Sequence, residues 1–412
     1  MRRWRPWSAR VSRRVVGMSD RRGRPSVAIV AHAIHDMGGM ERALAELIRR
    51  IHGDWRVVVI ASELAADLRP LVDWRPVRVP RRPMPLKFVT FFLLGSVRLA
   101  WVRTDVVHTL GAIVANRADV ATVQFCHAGF WEATGALAPR TARPLRRLNT
   151  TVARALAVTA ERWCYRPTRL RTLAAVSRGV AVELARHYPA VPARLTPNGV
   201  DIERFASNSE ARDRVRSEEA VAPGTLIALF VGGDWDRKGL GVAIEGIAAA
   251  RGLGADLELW VVGRGQETRF RELARQAGVV DSVRFFGARR DVEQFHQAAD
   301  LFVLPTEYET FSLVAHEAAA CGTPVVATRV SGVEDLVGDT EAGILVTRTP
   351  EAVGDALSRL AADDTLRHAM GAEGRRRTVE LTWDHSAKAV VDLYETVARA
   401  DPHHTEAEEP SR

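Results

Sequence analysis

Cysteine is scarce in this chain. Cys126, Cys164 and Cys321 are scattered through 412 residues without CxxC spacing. That argues against a disulfide framework and a thiolate metal site, and fits a reducing compartment. The twelve histidines form no HxH, HxxxH or HExxH cluster, so no imidazole metal motif stands in their place. No apolar run is long enough to span a bilayer. The nearest, residues 88–102 (FVTFFLLGSVRLAWV), contains Arg98 and reads as a buried or interfacial helix. Lysine is scarcer still: of 58 basic residues only Lys87, Lys238 and Lys388 are lysine. Such a bias reads as coding composition. It makes arginine the default cation and each lysine worth a look.

What is present is ordinary for a folded chain, with 47% hydrophobic and 26% charged residues. The length favours two domains, each with its own core. The net charge is +8, which raises nucleic acid as a partner, but no recognition module beyond charge accompanies it. Residues 1–24 carry nine arginines, Trp4 and Trp7 against the single acid Asp20. No apolar segment follows, so a signal peptide is not expected. The segment reads as a disordered basic arm, and a translation start at Met18 would account for part of it. Residues 401–412 read as a disordered polar tail.

Short β runs alternate with helical segments along the chain, which predicts parallel sheets covered by helices on both faces. The first half offers strands at 26–34 and 56–61, at DVVHTL and ADVATVQFC, and at 172–177, with a helix over 40–51 and a long basic helical stretch before the last strand. LTPNGVDIERF (195–205) carries turn chemistry suited to a domain crossover. The second half restarts at 225–233 and continues at 255–265, 283–288, 301–306, 324–330 and 342–346. A final helix covers 382–400.

The most informative segment is LPTEYETFSLVAHEAAACGTPVVAT (304–328). It holds Glu309 and Glu317, eight positions apart. Glu309 is expected in the loop after a buried strand, and Glu317 about two turns inside the following helix. Both then face one cleft at the carboxyl edge of a parallel sheet, where open α/β sheets bind ligands. Carboxylates suit sugar hydroxyls, and a helix N-terminus suits a phosphate. Taken alone, the same pattern also describes a plain amphipathic helix with one capping and one surface glutamate. GGDWDRKGLG (232–241) follows another strand and offers Arg237 and Lys238 as counter-charges for a diphosphate. Asp234 and Asp236 form a DxD that could hold a metal-diphosphate, although such short matches are common by chance. Gly38-Gly39 marks a βα turn where backbone can approach a ligand. Gly263-Arg264-Gly265 lacks the third glycine and the acidic residue of a dinucleotide fingerprint.

Together, GGMERALAEL, AAVSRGVAVEL, LTPNGVDIERF, FVGGDWDRKGL, LWVVGRGQETRF, the run 283–328 and TWDHSAKAVVDLY resemble, in order, the retaining glycosyltransferases of family 4. The resemblance implies a GT-B fold: two Rossmann-like parallel-sheet domains facing a central cleft, with a C-terminal helix crossing back. The expected parts are an acceptor-binding domain over 25–196, a nucleotide-sugar-binding domain over 197–381 and a returning helix over 382–400. Carried over by position, Glu309 meets the transferred sugar and His127 lies at the acceptor side, both as catalytic candidates. His127 also has a purely structural reading. The resemblance makes Glu317 the ribose ligand and Lys238 the phosphate ligand. Arg237, Gly39 and the backbone of Phe311, Ser312 and Leu313 join the donor site, and Arg289 lies toward the nucleobase. Three departures stand out. Many members have Gly-Arg where this chain has Gly232-Gly233, so that Arg237 is expected to take over the arginine's role. The family's common Glu-Gly-Phe-Gly reads Glu309-Thr310-Phe311-Ser312, and Arg264 replaces a usual acidic residue.

The implied reaction moves a sugar from a nucleotide-diphospho-sugar to a hydroxyl acceptor with retention at the anomeric carbon. It needs no metal and no other cofactor. The apolar 88–102 segment and the basic helix at 140–171 suit an anionic membrane surface. The expectations are therefore a lipid-linked or cell-envelope glycan acceptor, and a cytoplasmic protein peripheral to the inner face of the plasma membrane. Nucleic acid is not expected as a partner. The rival readings are a non-catalytic GT-B scaffold that binds a nucleotide sugar, and a basic nucleic-acid-binding protein.

Overall fold

The structure is a computed structural model describing residues 23–137, 144–338 and 341–399. The expected arm and tail lie outside these residues, apart from Gly23 and Arg24, as does the start of the basic stretch at 140.

The first half builds a seven-stranded parallel sheet. Its order is Asp73–Pro76, Arg56–Ala61, Ser26–Val30, Val106–Leu110, Ala118–Val123, Leu170–Ala175 and Ala193–Leu195. The second half builds a six-stranded parallel sheet in the order Val283–Gly287, Leu257–Val262, Leu226–Val231, Leu301–Leu304, Val325–Thr328 and Gly343–Val346. Central strands such as Ser26–Val30 and Leu301–Leu304 are buried along their whole length. Helices cover both faces, so these strands need continuous apolar runs and not alternation. In both sheets the strand order reverses beside the first strand, the arrangement that opens a ligand crevice at the carboxyl edge.

The helices follow local rules. Leu44, Leu47, Ile48 and Ile51 form the buried stripe of Gly39–Ile51. Ser177, Asn208, Thr349 and Asp363 each cap a following helix with a side-chain oxygen. The two short edge strands Asp73–Pro76 and Ala193–Leu195 were not expected; their mixed, largely exposed residues carry no β pattern.

The last helix, Trp383–Arg399, leaves the second domain and completes the first domain's core with Leu393, Tyr394 and Val397. Tyr394 is fully buried; its hydroxyl meets His108 Nδ1 at 2.5 Å. The chain thus crosses between the domains twice, and the crossings touch. Val200 N donates to Leu381 O at 2.6 Å. A Cβ on Gly199 would fall 2.4 Å from the Trp383 nitrogen, so glycine is required there.

The apolar segment around 88–102 is the helix Met84–Ala100. It buries Phe91, Gly95 and Leu99 and leaves an opposite apolar face exposed. No described helix is long and apolar enough to cross a membrane.

Candidate active site

The loops after Leu226–Val231 and Leu301–Leu304 leave the second sheet on either side of its order reversal. They interlock tightly. Gly239 has φ +81°, and a Cβ there would lie 2.0 Å from Pro305 O. Glu307 N donates to Arg237 O at 2.9 Å. Arg348 bridges the loops, with Nε on Pro305 O at 3.0 Å and Nη2 on Asp236 O at 2.9 Å.

This packing brings three of the expected residues together. Lys238 Nζ and Arg237 Nη1 both donate to Glu309 Oε1, at 3.0 and 3.2 Å. Burial alone would raise the Glu309 pKa. The charges and hydrogen bonds of Lys238 and Arg237 outweigh it and hold the carboxyl below its ordinary value. Burial also acts against the Arg237 charge, and Glu309 and Asp234 more than restore it.

Glu317 is the fifth residue of the helix Leu313–Ala320, about one turn in rather than two. Its Oε1 accepts from Arg42 Nη1 at 2.8 Å, across the cleft. Burial raises the Glu317 pKa, and Arg42 only partly offsets this. His296 Nε2 lies 4.0 Å from the other oxygen. Burial lowers the His296 pKa to about 3, so it stays neutral and forms no ion pair.

Between the two glutamates, Ser312 stands at the helix start with φ +63°, in the left-handed region. Its hydroxyl is buried without a hydrogen-bond partner and does not cap the helix. Phe311 is buried and stacks on His316 at 4.1 Å. Leu313 reaches across to the first domain, where a Cβ on Gly39 would sit 3.1 Å from its Cδ1.

Other contacts also join the domains at this point. Tyr308 inserts between Phe125 and Phe130, with both ring centres 5.3 Å away, and its hydroxyl donates to Glu183 Oε2 at 2.9 Å. Thr310 Oγ1 donates to Gln124 O at 2.7 Å. On the first-domain side, His127 opens the helix His127–Thr134. Burial, then the Arg154 charge, lower its pKa to about 4, so the ring is neutral; its Nδ1 is buried and unpartnered. Beneath it, Glu161 accepts from the backbone nitrogens of His127 and Ala128 and from the Tyr188 hydroxyl.

Three candidate residues are paired elsewhere. Arg289 is bound to Asp291 at 2.7 Å and lies over Phe295. Asp234 pairs with Arg237, and Asp236 with Arg269. Among the described residues no group of three or more His, Cys, Asp or Glu could hold a metal ion. Sequence reasoning missed Arg42, Tyr308, Glu161 and Arg348. Arg42 carried a usable signal, lying four residues after Gly38 at the expected cleft. The others are placed only by long-range packing.

The model for glycosyltransferase family 4 matches residues 37–204, and that for glycosyl transferases group 1 matches residues 211–377. The D-inositol 3-phosphate glycosyltransferase of Xylanimonas cellulosilytica is 31% identical over 406 residues, covering 89% of this chain and 94% of that protein. That of Salinispora arenicola is 30% identical, covering 90% of each. That of Corynebacterium kroppenstedtii is 35% identical, but the match spans 53% of this chain and 52% of that protein. Among solved structures, WaaG, a glycosyltransferase involved in lipopolysaccharide biosynthesis, is similar with a TM-score of 0.73 at 22% identity, covering 92% of this chain and all of its own. Anabaena HepE in complex with UDP and glucose gives 0.69 at 15%, covering 90% of this chain and all of its own. These two likenesses concern the fold. With both halves matched in order and relatives aligned along nearly the whole chain, the protein belongs to the family 4 glycosyltransferases of the GT-B fold.

Proposed function

We propose that this glycosyltransferase moves a sugar from a nucleotide-diphospho-sugar to a hydroxyl acceptor with retention at the anomeric carbon. The observation that carries the reading is Glu309 sharing one oxygen between Lys238 and Arg237 at the sheet's switch point. A donor diphosphate takes the two cations as counter-charges and leaves Glu309 to the sugar hydroxyls. As the sugar–phosphate bond breaks, Lys238 and Arg237 stabilise the charge left on the diphosphate. The leaving phosphate oxygen accepts the acceptor's proton as the new glycosidic bond forms, so no separate base is needed. Neutral His127 contributes hydrogen bonding on the acceptor side. Glu317 receives the ribose. The domain contacts through Tyr308 and Thr310 close the cleft and exclude water. Lys238→Ala is expected to lower the transfer rate at least tenfold, about 1.4 kcal/mol of transition-state stabilisation. Near-normal turnover with a folded protein would refute the assignment, and an inverted anomeric product by NMR would refute retention.

The acceptor reading follows from a second observation. Leu86, Val89, Leu93, Val97 and Trp101 form an exposed stripe on and just after Met84–Ala100, with Leu93 59% and Trp101 86% exposed. Leu145 and Leu148 extend it on the neighbouring helix Pro144–Cys164, beside Arg146 and Arg147. Both helices precede parallel strands, so their N-terminal ends lie at the carboxyl edge, where the cleft is. We read this as a face resting on an anionic membrane and delivering a lipid-linked or cell-envelope glycan to the cleft. The protein would then be cytoplasmic and peripheral. The name of the relatives supplies the rival acceptor, D-inositol 3-phosphate. Flotation with liposomes tests the membrane face: indifference to anionic lipid removes it, and transfer to the soluble acceptor alone removes the lipid-linked one.

A further inference from the structure

We infer that Arg42 is a positioning residue for the donor nucleotide: it reaches across the cleft and fixes the Glu317 carboxylate for the ribose. The inference rests on the assignment of Glu317 to ribose made above.

The pair is unlike a surface ion pair. The Arg42 side chain is 15% exposed and that of Glu317 is 7% exposed, and their atoms meet at 2.8 Å. A carboxylate this deeply buried needs a counter-charge to remain a strong acceptor. Arg42 supplies it through a single nitrogen on Oε1. Oε2 has His296 Nε2 only at 4.0 Å, too far for a hydrogen bond. An ionised carboxylate offers about four acceptor positions, so the two ribose hydroxyls can bind while Arg42 stays.

Arg42 is itself held from several sides. Its Cζ lies 6.0 Å from the centre of the Phe205 ring and 5.8 Å from that of Trp383. Both rings are buried and belong to the two segments where the chain crosses between domains. Its helix begins at the Gly38-Gly39 turn, which packs against Leu313 of the second domain. Arg42 meets Glu317 only when the domains are together. The full ribose site therefore exists in the closed arrangement, which links donor recognition to closure.

The readout is the preference for a ribose over a 2′-deoxyribose. Affinities of UDP, GDP and ADP and of dUDP, dGDP and dADP are measured by calorimetry for the wild type, Arg42→Met and Glu317→Gln. Methionine keeps an apolar stem against Phe205 and Trp383. For the diphosphate that binds best, Arg42→Met is expected to cut the ribose preference by about tenfold, the worth of one charge-assisted hydrogen bond. Affinity for the deoxy form is expected to stay within about twofold. Arg49→Met, on the same helix but bound to Asp36 and Asp67, should leave the preference intact. Equal losses for ribose and deoxyribose forms in Arg42→Met overturn the inference. If Glu317→Gln abolishes the preference while Arg42→Met retains it, the inference falls alone. If Glu317→Gln retains it, or no diphosphate binds, the ribose assignment falls and the inference with it. Should Arg42→Met not fold, Arg42→Gln, which also removes the charge, reads the same ratio.

Discussion

Ser312→Gly is expected to stabilise the unliganded protein, against the usual direction for a glycine substitution. Ser312 holds φ +63°, and the left-handed region costs a non-glycine residue about 1–2 kcal/mol. Its buried hydroxyl lacks a partner, which costs about 1–3 kcal/mol more. Against this, glycine adds unfolded-chain entropy of about 0.5–1 kcal/mol. The net gain is about 1–4 kcal/mol. The helix contacts made by the Ser312 carbonyl, to Ala315 N and His316 Nδ1, are backbone contacts and survive. Differential scanning fluorimetry on the wild type, Ser312→Ala and Ser312→Gly separates the terms. Alanine removes the hydroxyl and keeps the strain, so it is expected to lie between the other two. A Ser312→Gly protein no more stable than the wild type would refute the strain argument. The position also borders the proposed donor site. Nucleotide diphosphate should then stabilise both variants less than the wild type if the hydroxyl serves the donor phosphates.

Glu309→Gln is expected to lose transfer at least tenfold yet bind free nucleoside diphosphate more tightly, because Lys238 and Arg237 lose their resident anion; weaker binding by calorimetry would contradict the exchange. Burial pushes the Glu161 carboxyl up to about 7 from 4.5, despite the hydrogen bonds it accepts. The folded state therefore keeps a proton that the unfolded chain has released, and this contribution to stability is lost as pH rises from about 4.5 through 7. Melting curves over that window should flatten in Glu161→Gln relative to the wild type; parallel curves would refute the assignment. Tyr308→Phe removes a donor to the half-buried Glu183 and is expected to cost about 1 kcal/mol by chemical denaturation, with no change meaning that the interdomain bond carries nothing. Transfer should persist in excess EDTA, whereas strict metal dependence would return Asp234 and Asp236 to the active site.

The fold was largely legible because parallel strands covered on both faces leave continuous apolar runs. ALFV in Leu226–Val231 and LFVL in Leu301–Leu304 stand out against any helical period. Several strands came out shorter than expected, because the expected ranges ran on into turn residues such as Gly232-Gly233, Gly263-Arg264-Gly265 and Pro305-Thr306, which belong to the loops that build the site. Val283–Gly287 and Gly343–Val346 were found at nearly their expected limits because glycine or polar residues bound them. Asp73–Pro76 was invisible. An edge strand pairs through backbone alone, and DWRP shows neither alternation nor an apolar run.

The site was legible in its loops and not in its pairings. Spacing and turn chemistry put Lys238 and Glu309 after the correct strands, but local sequence says nothing of how two loops interlock around Gly239 and Pro305. It says less about residues separated by 275 positions, such as Arg42 and Glu317. The expectation was that cations would address the phosphates and carboxylates the sugar and ribose. In the structure they address each other: two cations share one glutamate oxygen, and the second glutamate is held from the opposite domain. A cleft lined with unpaired buried charges would be costly to keep. Mutual neutralisation removes that cost, and under the proposed function a donor diphosphate takes Lys238 and Arg237 from Glu309 while the ribose hydroxyls add to Glu317 with Arg42 in place. A diphosphate without the sugar, or a sugar without the diphosphate, satisfies only half of the exchange. Under the proposed function, selectivity for the complete donor follows from the pairing itself.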